Sequence, residues 1–313
     1  MELGLLETML AGPARRLPYW RTRFAGFPAP PPRVLAEEVG ESAAAFFHPE
    51  LQTALVAAAE LAGARVLRGA RALGVSRGPN GPRVTYRQQG AQHEVSAALV
   101  VGADGRNSAV GGWAGFERRR HTPRLVFAGV LMEGVSVEPT NAPADTNQLY
   151  FHPSEGLLAM TLPVDEQRTR LYAGYHLAGG RRPEVGTDMA AFLSLARAAG
   201  VPAGVLEGAT QAGPLAAFDG AEDWAVSAYE DGVALVGDAA ATSDPSFGCG
   251  MALTMLSAQL LTSALTSHSA LDPHSVAAAG AAYDAAMREA YGSLRRQVDW
   301  LTSFYRTPGA AAD

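Results

Sequence analysis

The sequence predicts a mixed α/β fold in which a domain built on a parallel sheet is interrupted by an inserted antiparallel or mixed sheet. Two apolar strand-type segments, 98–101 and 232–236, each run into a Gly- and Asp-containing turn followed by a helical segment. Continuous apolar strands alternating with helices are typical of a parallel sheet. Between them, several segments alternate polar and apolar residues with period two, which is typical of antiparallel strands.

The first third of the chain predicts two helices and then a group of short strands. The clearer helix is Pro49–Gly63, with proline in its first turn and glycine at its end. The prolines of 25–33 indicate an extended segment, and Asn80-Gly81 is a hairpin turn signal. The remaining predictions here are a helix at 3–10 and strands at 65–67, 72–77, 83–88 and 94–101.

The rest of the chain predicts the inserted sheet, the second apolar strand and three helices. The helix at 188–200 has Thr187 as its predicted N-cap. Strands are predicted at 125–132, 148–152, 156–162, 169–176 and 232–236, and the other two helices at 248–268 and 272–305.

The segment 234–251 contains the most informative pattern, a strand, a Gly237-Asp238 turn, a loop and a glycine-flanked helix start. The carboxylate of Asp238 can accept hydrogen bonds from the hydroxyl groups of a ribose or ribityl chain. Gly248 and Gly250 allow backbone to approach a flat ring closely.

The helix that follows this loop begins near Met251 and Ala252, whose N–H groups face the position of an anionic ring edge. Pro245 shapes the loop. Cys249 lies inside it, and we interpret this residue as a small packing side chain in contact with the bound group and not as a nucleophile.

A second segment, 98–110, repeats the arrangement with Asp104-Gly105 after the strand and a predicted helix start at Ser108. For Asp104 and Asp238 alike, the competing interpretation is a carboxylate that forms a turn or caps a helix.

Together these segments resemble the Asp-Gly and Gly-Asp motifs of the FAD-dependent aromatic-hydroxylase-type monooxygenases. The resemblance implies an FAD/NAD(P)-binding Rossmann-like domain, α/β in class (α+β overall), with an inserted mixed or antiparallel β-sheet substrate domain. It implies FAD as cofactor, NADH or NADPH as reductant, and O2 and a small apolar organic molecule as substrates. The implied cofactor-binding residues are Asp104, Gly105, Gly237, Asp238, Pro245, Gly248, Cys249, Gly250, Met251 and Ala252.

The same resemblance implies a division into domains. Residues 1–117 and 222–268 would form the FAD-binding domain, 118–221 the substrate-binding sheet domain, and 269–313 a C-terminal helical segment that serves packing or a homodimer surface. Four aromatic residues of the inserted sheet are candidates for a substrate pocket, with core packing as the alternative: Tyr150, Phe151, Tyr172 and Tyr175. The run Arg118–Arg120 is interpreted as a solvated domain junction, with contact to an acidic ligand as the alternative.

The family's first strand with its G-x-G-x-x-G turn, which places the pyrophosphate on a helix N-terminus, has no counterpart here. The FAD-binding domain is therefore expected to be N-terminally incomplete, either because the sequence is a fragment or because normal FAD binding has been lost. Ala241, Ala252 and Ser257 replace polar side chains usual in the hydroxylases. A flavin halogenase, a prenyl-chain reductase, or a non-catalytic remnant that binds an apolar ligand or a partner protein remain alternatives.

Composition narrows the function further. A formal net charge of −6 argues against a nucleic-acid surface, and no apolar run is long enough to predict a membrane span. The single cysteine excludes an internal disulfide and favours a cytoplasmic location. Neither a Ser-His-Asp arrangement nor a metal-binding spacing is evident, so no catalytic side chain is predicted; a bound cofactor would supply the chemistry.

Overall fold

A computed structural model describes residues 5–78, 81–137, 141–177, 188–245 and 248–306, and it has the mixed α/β fold that the sequence predicts. Its helices are α1 Leu6–Leu10, α2 Leu35–Val39, α3 His48–Leu61, α4 Ala109–Trp113, α5 Met189–Ala198, α6 Gly250–Thr266 and α7 Pro273–Arg306. Its strands are β1 Ala14–Leu17, β2 Tyr19–Phe24, β3 Arg33–Val34, β4 Ala43–Phe46, β5 Arg71–Ser76, β6 Arg83–Gln88, β7 Ala91–Ser96, β8 Val100–Gly102, β9 Arg118–Arg120, β10 Leu125–Glu133, β11 Thr146–His152, β12 Leu157–Pro163, β13 Arg168–His176, β14 Thr210–Gln211, β15 Ala216–Asp219, β16 Asp223–Ala225, β17 Tyr229–Glu230, β18 Val233–Leu235 and β19 Ala241–Thr242.

Contacts divide the chain into two compact units. The large-sheet unit comprises residues 2–65 and 124–219 with the C-terminal residues from 302, and the parallel-strand unit comprises 66–123 and 220–301. This differs from the predicted division in two places. Residues 2–65 group with the large sheet because β2 pairs with β11, and most of α7 groups with the parallel strands because its side chains enter their core.

In the large-sheet unit the strand order is β14-β10-β13-β12-β11-β2-β3, with β15 also paired to β10. The β2–β11 pair is parallel and the others are antiparallel. One face of this sheet packs against α5, whose buried residues Phe192, Leu195 and Ala196 join the largest apolar cluster of the unit. The other face carries a second cluster around Phe127 and Leu158.

Among its described residues, the parallel-strand unit contains three small sheets. Strands β8 and β18 run parallel, with β17 antiparallel on the far side of β18. Strands β5, β6 and β7 form an antiparallel meander, and β16 pairs with both β9 and β19. The core joins β8, β18 and α6 to Tyr283 and Met287 of α7, which are almost fully buried.

Most predicted elements are confirmed to within a few residues, but two predictions are wrong. No strand forms at 65–67. The predicted strand 94–101 is two strands, because β7 ends in the antiparallel meander while β8 turns to pair with β18. The predicted cap Thr187 and turn residue Asn80 lie outside the described residues; Asp188 accepts hydrogen bonds from the first N–H groups of α5.

Candidate functional site

The site begins where β18 runs into the Gly237-Asp238 turn. Gly237 adopts φ +57°, and a Cβ atom there would lie 3.0 Å from Cγ2 of Thr254. Its N–H donates to Oγ of Ser257 at 2.8 Å. Backbone conformation and the approach of α6 therefore both require glycine at this position, and Ser257 is a buried partner for the turn.

Asp238 is half-buried, and burial raises the pKa of its carboxyl group, while the nearby positive charge of Arg106 opposes the rise. Among the described residues, no hydrogen-bond donor to its side chain is found within 3.5 Å. A carboxylate that loses hydration without gaining a partner lowers stability. Such a group can bind a ligand hydroxyl, which would restore the missing hydrogen bonds.

The loop after this turn leads to the N-terminus of α6. Gly248, at φ +64°, donates its N–H to the carbonyl of Pro245 at 2.9 Å. A Cβ atom at Gly248 would meet nothing within 4 Å, so the backbone here faces open space. Because the first N–H groups of a helix lack intrahelical acceptors, those of Met251 and Ala252 remain able to bind an anionic or carbonyl group.

Cys249 precedes the first residue of α6, Gly250, and its sulfur lies 3.9 Å from Oγ of Ser243. Burial, with minor contributions from nearby acidic groups, raises the pKa of the thiol. The thiolate required of a nucleophile is therefore disfavoured, in agreement with a packing role.

Asp104 occupies a different environment. Its carboxylate accepts a hydrogen bond from Oγ of Ser108 at 2.5 Å and another from the N–H of Val110 at 3.0 Å. Burial alone would raise its pKa, yet these hydrogen bonds hold the pKa below its usual range. Ser108 caps α4 by accepting from Gly111 at 2.9 Å. Both oxygens of Asp104 thus hold the helix start, and Gly105, at φ +76°, continues the turn.

Three side chains that the sequence did not single out for the site hold its framework. Tyr283 donates its hydroxyl to the carbonyl of Leu235 at 2.5 Å, and Tyr291 to that of Thr242 at 2.6 Å. Arg118 donates to the carbonyl of Ala239 at 2.7 Å. In the sequence, Tyr283 and Tyr291 are eight residues apart, which places them on a similar face of the predicted helix. This spacing is the sequence pattern that could have indicated their shared role.

The run Arg118–Arg120 is strand β9 of a small sheet, and the prediction of a solvated junction is wrong for Arg118. Its guanidinium bonds Asp223 at 2.7 Å. The side chain therefore ties β9 and β16 to the turn that carries Asp238.

The four aromatic candidates of the large sheet lie on its two opposite faces and do not form one pocket wall. Tyr150 and Tyr175 belong to the cluster that packs against α5, whereas Phe151 and Tyr172 lie on the other face. Strand pairing explains the separation, because positions that differ by an odd number along a strand point to opposite sides.

Among the described residues there is no group of three or more His, Cys, Asp or Glu side chains that could hold a metal ion. The same residues include no helix with the length and apolar character needed to cross a membrane.

The Gly-Asp turn, the open loop and the helix start are features expected of a cofactor-binding protein, and comparison with protein families shows which family the chain belongs to. The profile described as "FAD binding domain" matches residues 4–272. The chain therefore belongs to the FAD binding domain family. The curated proteins contain no match.

Several solved structures share the fold at low sequence identity. PqsL of Pseudomonas aeruginosa, described as a probable FAD-dependent monooxygenase, has a TM-score of 0.75 and 20% identity over 99% of this chain and 84% of its own. For 2-methyl-3-hydroxypyridine-5-carboxylic acid oxygenase the values are 0.71 and 21% over 98% and 80%. The flavin-dependent halogenase CmlS gives 0.73 and 20% over 93% of this chain, which spans 53% of that protein.

Proposed function

We propose that this chain binds FAD and acts in the NAD(P)H-dependent monooxygenation of a small apolar organic molecule. The half-buried carboxylate of Asp238, at the turn between β18 and α6, is the observation that carries the proposal. It combines an acceptor for sugar-chain hydroxyl groups with a helix start whose N–H groups can face a flavin ring.

The residues present fit the half of an FAD molecule that contains the flavin ring and its ribityl chain. Asp238 would hold a ribityl or ribose hydroxyl, and the open backbone at Gly248 would let the ring approach; at Gly250 a Cβ atom would meet only Oγ of Ser243, at 3.9 Å. The N–H groups of Met251 and Ala252 would stabilise negative charge on the ring edge through the partial positive charge of the α6 N-terminus. Asp104 would act indirectly, by fixing the loop at Gly105 whose backbone approaches the phosphates.

When bound, FAD supplies the redox chemistry by taking reducing equivalents from a nicotinamide and activating oxygen. The chain itself positions the cofactor and excludes water from it. For substrate, Phe151 and Tyr172 are the stronger candidates of the four aromatic residues, because they share a sheet face with Phe24 and Phe218, which are 47% and 40% exposed. We also propose a cytoplasmic location, because the chain has a single cysteine. The long helix α7 is the proposed surface of a homodimer.

A flavin titration of the purified chain tests the proposal. We expect FAD binding to change the flavin absorption bands and the flavin fluorescence, and Asp238→Ala to weaken binding by about 1–3 kcal/mol, the scale of a charge-assisted hydrogen bond. Glu289→Gln, an exposed substitution on α7, is the matched control and should bind FAD like the unaltered chain.

Equal affinity in the Asp238→Ala variant would remove this residue from the site. A chain that is colourless after incubation with excess FAD and removal of the unbound flavin would instead support the interpretation as a non-catalytic remnant. With a bound flavin, NADH and NADPH oxidation measured with and without halide separates oxygenation from halogenation, which the similarity to halogenase structures makes the second candidate.

A further inference from the structure

The parallel-strand unit contains a surface cavity of about 340 Å³ that is separate from the open loop at Gly248. Its walls are β9, β16, β19 and one face of α7. The volume falls at the lower end of the range of about 300–1,000 Å³ typical of small-molecule sites. Neither the Gly-Asp turn nor the aromatic face of the large sheet requires such a cavity.

The charged residues that line this cavity are all of one sign. Among the described lining residues Arg119, Arg288 and Arg295 are cationic and none is acidic, although the whole chain has a net charge of −6. Each guanidinium also has a carboxylate within 4 Å outside the lining: Glu117 for Arg119, Asp284 for Arg288 and Glu222 for Arg295. A bound anion would therefore share these arginines with protein carboxylates, and it would face only cationic side chains from within the cavity. Arginine is also the side chain best suited to bind carboxylate and phosphate groups through paired hydrogen bonds.

Arg295 is held in place before any ligand binds. Its guanidinium lies 3.9 Å from the centre of the Trp224 ring, which fixes the plane of the group by cation–π stacking. Its Nη2 contacts Nε2 of His121 at 3.1 Å, and Nδ1 of that histidine contacts the buried carboxylate of Glu222 at 3.0 Å. The neutral histidine tautomer with its proton on Nδ1 satisfies both contacts. An immobilised guanidinium loses little entropy when it binds an anion.

Arg119 and Arg288 are the more exposed cations, with side chains 63% and 65% exposed. Arg119 has a carboxylate neighbour at 3.8 Å, in Glu117, and that pair is itself solvent-exposed. Exposed pairs contribute only about 0–1 kcal/mol. Arg119 can therefore turn toward a ligand at small energetic cost. Arg288 is already engaged, because it forms an ion pair with Asp284, whose side chain is only 7% exposed.

The rest of the lining is mostly apolar and combines small side chains with a few large ones. Ala225, Ala228 and Ala241 leave room, and Met287 and the ring of Tyr291 supply contact surface. The Tyr291 hydroxyl donates to the carbonyl of Thr242, which leaves its ring for apolar contact. The cavity thus combines an apolar floor with a cationic rim.

From this combination we infer that the cavity binds a small organic anion, with its carboxylate or phosphate group at the arginines and its apolar body against α7 and β19. The inference does not rest on the proposed flavin site. Because Ala241 belongs to the strand that follows the Asp238 turn, an occupied cavity lies next to that turn.

Calorimetric titration of the full chain tests the inference with benzoate, phenyl phosphate and the neutral analogue benzyl alcohol. We expect saturable binding of at least one anion, about tenfold or more tighter than benzyl alcohol and weakened by added salt. Benzoate and phenyl phosphate distinguish the two acidic groups. Inorganic phosphate should bind more weakly than phenyl phosphate, since it lacks the apolar body.

Two kinds of variant locate the binding. Arg119→Gln, which removes a cation whose paired carboxylate is itself exposed, should weaken the anion about tenfold without affecting benzyl alcohol. Gly292→Leu should block both by filling the cavity, and a Cβ atom at Gly292 meets only Arg296 at 3.6 Å, so the helix should accept it. Arg296→Gln, on the same helix but outside the lining, is the control, and circular dichroism confirms folding.

Equal affinity for benzyl alcohol and the anions would overturn the inference, because the arginines would then have no role. Anion binding that survives Gly292→Leu in a folded variant would also overturn it, as would an equal loss in Arg296→Gln.

Discussion

Asp238 and Asp104 are two carboxylates of similar sequence context whose environments shift their pKa values in opposite directions. Burial raises the pKa of Asp238, which has the charge of Arg106 nearby but no hydrogen-bond donor among the described residues. Asp104 is more exposed, and hydrogen bonds from Ser108 and Val110 lower its pKa. A carboxylate whose ionised form is unsatisfied is a ligand-binding candidate, whereas one whose hydrogen bonds are complete is a structural group.

The raised pKa of Asp238 predicts a pH-dependent stability. Between its unfolded and folded pKa values the folded chain binds more protons than the unfolded chain, so this group lowers stability as pH rises through that interval. Asp238→Asn should therefore raise the melting temperature without FAD near neutral pH. The gain should shrink as pH falls through the raised pKa, as a series of thermal melts would show. A gain that is constant with pH would contradict this.

The lowered pKa of Asp104 predicts the opposite dependence of stability on pH. Because its pKa is lowered, its stabilisation is present above the unfolded pKa and disappears as pH falls through the folded pKa. Asp104→Ala should lower the free energy of unfolding by about 1–2 kcal/mol, the scale of a helix-capping interaction. Urea unfolding measures the loss, and Glu60→Ala on the exposed side of α3 is the control. No loss at neutral pH would show that the cap is dispensable.

At the scale of elements, two glycines of the large sheet lie beneath aromatic rings of neighbouring strands. Gly129 of β10 pairs with Tyr172 of β13, and Gly174 of β13 pairs with Phe127 of β10. The two rings stack on each other with centroids 5.2 Å apart. A ring can lie flat on a sheet only where the opposite residue has no side chain, so each glycine makes room for the aromatic residue across from it.

Gly129→Ala tests this arrangement, since its Cβ atom would lie 2.4 Å from the Tyr172 ring. We expect a loss of about 1–3 kcal/mol from overpacking, measured by chemical denaturation. Combining it with Tyr172→Ala should give less than the sum of the two single losses. Gly112→Ala, where a Cβ atom meets nothing within 4 Å, is the control. Additive losses would show that ring and glycine do not interact.

The strands of the large sheet could be predicted because alternation reports local burial directly. Pairing could not, because it joins distant segments. The parallel contact of β2 with β11 links Tyr19–Phe24 to residues more than a hundred positions later, and no local pattern encodes it. The same limit explains why 94–101 was predicted as one strand, when its two halves have different partners.

For the candidate site, the residues with special backbone geometry could be predicted and their supports could not. Gly237 and Gly248 follow from turn chemistry. The contacts of Tyr283 and Tyr291 depend on how α7 packs. Residue type alone groups the four aromatic candidates, and only the register of the sheet separates Tyr150 and Tyr175 from Phe151 and Tyr172.

At the scale of the whole molecule, each compact unit is assembled from segments far apart in sequence. Residues 124–219 contain most of the large sheet but lack β2, which covers the edge of β11. Without it, β11 would expose unpaired backbone groups together with apolar side chains such as Leu149 and Phe151, which are buried in the full chain.

A fragment of residues 124–219 should therefore aggregate or unfold without cooperativity. A fusion of residues 2–65 to 124–219 through a flexible linker should show a cooperative transition. Urea denaturation followed by circular dichroism compares the two. An isolated fragment with the same midpoint as the fusion would show that β2 adds nothing to the stability of the unit.

Strand β8 is the last strand of its sheet among the described residues, with β18 as its neighbour. The N–H of Val100 donates to Gly232 on the β18 side, so alternation turns the N–H of Val101 to the opposite side, and the Val101 side chain is 44% exposed. Deuterium uptake at the Val101 amide should therefore be fast, while uptake at the amide of the fully buried Ala234 in the middle strand should be slow. A strand added along β8 would slow the exchange at Val101, so this single amide would report whether any further segment pairs there.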